Sequence, residues 1–122
     1  MPRKLAALRG ATTLDEDTAA QMEARVQELL PLMLEGNDVE HDDVISVIFT
    51  ATDDLHSTFP ATAARSIGFG DVPLICAREL DISGGARRCV RVLMHISTER
   101  DRSDLHHVYL HGAVGLRDDL PG

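Results

Sequence analysis

Between residues 88 and 98 the chain alternates with period two. Val90, Val92, Met94 and Ile96 fall on one side, and Cys89, Arg91, Leu93 and His95 on the other. A strand that lays one face on a core satisfies this pattern, so the segment constrains the fold more than any other. It also leaves Arg91 at mid-strand on the second face, between Cys89 and Leu93. A guanidinium on a rigid strand among apolar neighbours is well placed to hold an anion, although a salt bridge to a neighbour explains it equally well in isolation.

The other elements read outward from this strand. Residues 5–9 form a short strand running into Gly10, and Thr13 with Glu16, spaced as a capping box, mark a helix start. Ala19, Met22, Val26, Leu29, Leu30 and Met33 then recur at helical spacing, giving one long amphipathic helix that stops at Gly36-Asn37. Residues 44–51 are β-branched and nearly apolar on both faces, as in a central strand. After a polar loop, Pro60 opens a short helix carrying Arg65, with Gly68 just past its end. Residues 72–76, 88–98 and 106–116 complete a set of five strands, with Gly84-Gly85 read as a tight turn between two of them. The expected fold is α+β: a mixed five-stranded sheet packed on one long helix plus a short helix, in one domain spanning residues 1–122 with a tail from about 117. The opposed apolar residues on the sheet's second face point to a partner subunit.

Composition narrows the function. Only 3% of residues are aromatic, with no Trp, so the core is built from aliphatic side chains and Met, and a small core favours oligomerisation. A formal net charge of −8, with no basic run, argues against nucleic acid and against anionic membranes. There is no apolar stretch long enough to span a bilayer and no leader-like apolar run near Met1. Two cysteines then read as free thiols of a soluble, cytoplasmic protein.

Arg9, Arg65, Arg91 and Arg117 each read alone as a solvated charge or an ion pair. Taken together they suggest a site for a compact dianion, because guanidinium forks grip carboxylates in a bidentate way. Cys76 invites a nucleophile reading, but no histidine is spaced to serve as its base, so a spectator thiol is the better account. Glu79 follows a strand end, where it is a candidate acceptor for a substrate hydroxyl. His107, Tyr109 and His111 alternate on the last strand, yet nothing has metal-ligand spacing, and neither a metal nor a cofactor is expected.

Four segments also stand in a telling order: Arg9-Gly10-Ala11-Thr12-Thr13; Ala51-Thr52-Asp53-Asp54-Leu55-His56 with Phe59-Pro60-Ala61; Cys76 through Arg91; and His107-Val108-Tyr109-Leu110 with Leu116-Arg117. From about Leu5 to Leu120 the chain resembles the monofunctional chorismate mutases of the AroH class, the bacillus type. The resemblance implies a homotrimer with a pseudo-α/β-barrel core and active sites between adjacent subunits. It implies the pericyclic rearrangement of chorismate to prephenate, the step of the shikimate pathway committed to phenylalanine and tyrosine. It further implies that Arg9 grips a substrate carboxylate and Arg91 faces the ether oxygen of the breaking bond. Glu79 would accept the ring hydroxyl, with Cys76 beside it as a contact, and Tyr109 would bond a carboxylate. Phe59, Ala61 and Arg65 would form a wall from the neighbouring subunit, with Leu74, Ile75, Leu116 and Arg117 as further wall and tail positions. Thr62 stands where the family pattern has a lysine. The competing readings are a trimeric imine deaminase of the RidA type and a non-catalytic trimer that binds a metabolite of the aromatic pathway.

Overall fold

The computed structural model describes residues 2–119, with side chains to Leu116. Five strands form one sheet: β1 (Lys4–Thr13), β2 (Val44–Ala51), β3 (Leu74–Arg78), β4 (Cys89–Thr98) and β5 (Val108–Tyr109). Their order is β3-β2-β4-β1-β5. The central β4 pairs antiparallel with β1 and β2, whereas the outer pairs β2–β3 and β1–β5 are parallel, so the sheet is mixed as expected. Helix α1 (Ala19–Glu35) and the short α2 (Pro60–Ala64) lie between strands in sequence and cover one face.

The period-two reading of β4 holds. Val90, Val92, Met94 and Ile96 are buried, while Arg91 and Leu93 lie on the open face. Opposite them Met22, Val26, Leu29, Leu30 and Met33 of α1 are all at most 1% exposed, as their spacing requires. The helix settles close to β1 because Gly10 has no side chain there: a Cβ would meet Met33 Sδ at 2.5 Å. The buried Asn37, just past the helix, accepts from the His106 N–H (2.6 Å) and donates to the carbonyls of Met33 and His106 (2.8 Å each). A residue that reads in the sequence as a helix stop thus also anchors the approach to β5.

Three local expectations change. The helix starts at Ala19, with Thr18 as its cap accepting from the Gln21 N–H at 3.2 Å, and not at a Thr13–Glu16 box. Thr13 is unavailable because β1 runs on to it, paired with Cys89, and the Leu14 N–H bonds the Arg88 carbonyl at 2.8 Å. The last strand is only two residues long. Beyond Leu110 the chain takes a left-handed step at His111 (φ 53°) into a 3-10 helix, His111–Asp119. His111 therefore leaves the strand and pairs with Glu28 of α1 at 2.7 Å, which removes the alternation with His107 and Tyr109. Gly84-Gly85 sits in a ten-residue loop, because β3 and β4 are not neighbours: β2 lies between them. At the end of α2 Gly68, with φ 104°, ends the helical course, the conformation for which glycine is suited.

Candidate active site

Register alone brings several expected residues together on the open face of the sheet. Arg91 lies opposite Ala11 on β1 and Thr50 on β2, Arg9 lies opposite Leu93, and Tyr109 pairs with Ala11 from the other side. Side chains from four strands therefore converge above a floor made mainly of Gly10, Ala11, Ile48 and Leu93. Arg9, Thr50, Glu79, Arg91, Tyr109 and Leu116 complete a cleft of about 310 Å³. A larger recess of about 590 Å³ under the 80–87 loop adjoins it, sharing Glu79 and Arg91.

Two guanidinium groups, of Arg9 and Arg91, and the Glu79 carboxylate line this cleft. Glu79 Oε2 accepts from Thr50 Oγ1 at 2.7 Å and meets Arg91 Nε at 3.1 Å. That closest approach is at Nε, and among the described residues neither terminal nitrogen of the fork is hydrogen-bonded to Glu79. Arg9 has no carboxylate partner among the described residues. Tyr109 Oη is buried and has no hydrogen-bond partner among them.

Neither thiol lines this cleft. Cys89 is buried beside Arg91, and burial, only partly opposed by the arginine's charge, pushes its thiol up to about 11, so it stays protonated at neutral pH. Cys76 is on the opposite face. It pairs with buried Phe49 and lines a groove of about 540 Å³ with Phe59, Pro60 and Arg78.

The start of β4 is pinned by residues to which the sequence reading assigned no role. Thr52 Oγ1 donates to Asp54 at 2.6 Å and accepts from the Cys89 N–H at 3.0 Å, and Asp54 also accepts from the Arg88 N–H at 3.0 and 3.1 Å. Burial works against the Asp54 carboxylate, but these donors outweigh it and lower its pKa. They hold Arg88 in a left-handed conformation (φ 43°) three residues before Arg91. Asp53 is paired with Arg78 through two bonds of 2.6 and 2.7 Å.

The backbone of Arg9 is held by a histidine, since its N–H donates to His107 Nδ1 at 2.9 Å. Burial first, then the Arg9 charge, lower the pKa of His107 below its ordinary 6.5. With the folded value lowered, the unfolded chain binds the proton more readily, so stability falls as pH drops through about 6.5. Melting temperature is expected to fall between about pH 7 and 5, and His107→Gln to flatten part of that slope. An identical slope in the variant would rule out this linkage.

The other expected site residues are spread more widely. Phe59 is 67% exposed at the mouth of the Cys76 groove, and Ala61 is buried in α2 beneath it. Arg65 is exposed at the end of α2, away from Arg9 and Arg91, so the arginines do not form one cluster within a single chain. Leu74 packs against the core and Ile75 is 61% exposed on the open face. Arg117 lies outside the described residues as far as its side chain is concerned. The sequence reading missed Thr50 and Ile48 in the cleft. The hydroxyl in an otherwise apolar β2 was the available signal for Thr50.

Comparison with known proteins agrees with this geometry. The family model for chorismate mutase type I matches residues 5–120. The chain is 40% identical over 114 residues to chorismate mutase AroH of Bacillus subtilis (strain 168), covering 93% of this chain and 90% of that protein. It is 46% identical over 114 residues to chorismate mutase AroH of Thermus thermophilus, covering 93% of each. The solved structure of a chorismate mutase from Clostridium thermocellum superposes with a TM-score of 0.86 at 48% identity, over 88% of this chain and 96% of that one. These matches favour the mutase over the imine deaminase reading. Among the described residues no helix is long and apolar enough to cross a membrane. The match across nearly the whole chain, together with a cleft lined by Arg9 and Arg91 on the open face of the sheet, places this chain in the chorismate mutase type I family.

Proposed function

We propose that this chain converts chorismate to prephenate, on the route to phenylalanine and tyrosine, in a cleft completed by a neighbouring subunit of a homotrimer. One observation carries the intersubunit reading. The candidate residues divide into two half-sites on opposite faces of one sheet: Arg9, Glu79, Arg91, Tyr109 and Leu116 on the open face, Phe59 and Cys76 on the covered one. Leu5 at 67% and Ile75 at 61% exposure leave the open face apolar and uncovered, which supports its burial against another copy. The two unpaired thiols support a cytoplasmic setting.

The chemistry asks little of the protein beyond shape and charge. The ether C–O bond breaks as a new C–C bond forms in the same molecule, with no proton, electron or group exchanged. What accelerates it is selection of the folded conformer of a flexible dianion, together with a cation at the oxygen where negative charge grows. In this reading Arg9 and Tyr109 hold carboxylates, Glu79 accepts the ring hydroxyl, and Arg91 faces the ether oxygen. Phe59, Ala61, Arg65 and Cys76 of a neighbouring subunit form the opposing wall with Leu74 and Ile75, and Arg117 belongs to the tail side.

The direct test follows loss of chorismate absorbance with the purified protein, then phenylpyruvate after acidification. Tight binding without turnover would support the metabolite-binding alternative. The shared site has its own test. Arg91→Ala and Phe59→Asp each inactivate a different half, so co-expressed mixed trimers are expected to regain roughly a quarter of the parental sites by random pairing. Mixed oligomers that remain inactive would place the whole site within one subunit.

A further inference from the structure

The geometry points to Thr50 as a positioning residue that keeps the Glu79 carboxylate from occupying the fork of Arg91. This rests on the mutase reading of the same cleft.

Thr50 sits in the middle of β2, directly opposite Arg91 on β4 and Ala77 on β3. Its hydroxyl donates to Glu79 Oε2 at 2.7 Å, and Arg91 Nε meets that same oxygen at 3.1 Å. The Glu79 backbone is tied to the same strand, its N–H donating to the Ala51 carbonyl at 3.0 Å. Strand β2 therefore fixes Glu79 at two points, one of them the carboxylate itself.

A carboxylate beside an arginine otherwise tends to take the parallel two-bond arrangement, one oxygen on each of two guanidinium N–H groups. In that geometry Glu79 would neutralise the fork and both its oxygens would be engaged. With Thr50 holding Oε2, the closest approach is at Nε, and among the described residues no hydrogen bond joins a terminal nitrogen of Arg91 to Glu79. The terminal nitrogens of Arg91 then remain available to developing charge on the substrate, and Oε1 is available to a hydroxyl. Thr50 touches no reacting atom in this account and works entirely through Glu79 and Arg91.

Thr50→Val keeps the β-branched shape that suits a strand and removes the donor. It is expected to lower kcat/KM about 10-fold, with kcat falling as well as KM rising, since both the charge and the acceptor are misdirected. Thr50→Ser restores the donor and is expected to stay within about 3-fold of the parent. A role in strand packing alone predicts the reverse order, because valine fills the site and serine does not.

A double-mutant cycle completes the test. In the Glu79→Ala background Thr50→Val is expected to change kcat/KM by less than about 2-fold, because its effect runs through the missing carboxylate. Undiminished additivity, or serine no better than valine, overturns the assignment. Should Glu79→Ala leave kcat/KM unchanged, the reading of the cleft fails first. That outcome is distinct from one in which Glu79→Ala is damaging and Thr50→Val is harmless.

Discussion

Arg91→Ala is expected to fold and assemble normally yet lose about 2.7–4 kcal/mol of transition-state stabilisation, on the order of 10²–10³ in kcat. The fold tolerates the change because the Arg91 side chain is 46% exposed and its only ion pair among the described residues, to Glu79, is a partly solvated one. Val90, Val92, Met94 and Ile96 of β4 carry the core contacts from the other face, and of the buried residues of β4 Cys89 alone shares the face of Arg91. The rate does not tolerate it, since charge appears on the ether oxygen only as the bond breaks, and a cation fixed there acts on the transition state more than on the substrate. If charge is what matters, Arg91→Gln is expected to be nearly as damaging as alanine. Steady-state kinetics on chorismate, with circular dichroism and sizing to show an intact fold, check both variants. Turnover near the parental value would end the electrostatic account.

Phe49→Ala is the largest expected loss of stability, about 3–5 kcal/mol. Phe49 is the largest fully buried side chain, at 0% exposure, on a strand flanked by β3 and β4. It lies between Ile48 and Thr50, which face the cleft, so it supports the floor of the site from behind. With two other phenylalanines and no tryptophan in the chain, the surrounding core of Val, Leu and Met has little with which to refill the space. Set against a typical net stability of about 5–15 kcal/mol, that loss is severe. Urea unfolding at fixed protein concentration measures it, the concentration being held because assembly contributes to stability. A loss below about 1 kcal/mol would show that the core collapses into the space.

The parts that were legible in the chain share a physical cause. Burial of β4 and α1 is periodic, and period two or a helical repeat survives in the order of residues whatever the partner elements are. The helix stop at Gly36 and the opening of α2 at Pro60 are set by local backbone geometry, and both appear where expected. The start of α1 failed because a competing long-range interaction won: Thr13 is held in the ladder with Cys89, and Thr18 takes the cap. The last strand failed similarly, since its alternation ran past the two residues that actually pair with β1.

The site shows the same division. That Arg91 would face away from the core followed from Val90, Val92, Met94 and Ile96 alone. That it would meet Glu79 and Thr50, with Arg9 and Tyr109 across the cleft, depended on strand order and register, which join residues up to 100 positions apart. The proximity of Cys76 to Glu79 in the chain was misleading, because Cys76 points to the covered face with Phe49 while Glu79 reaches the open one. Periodicity assigns a residue to a face; pairing between strands assigns it its neighbours.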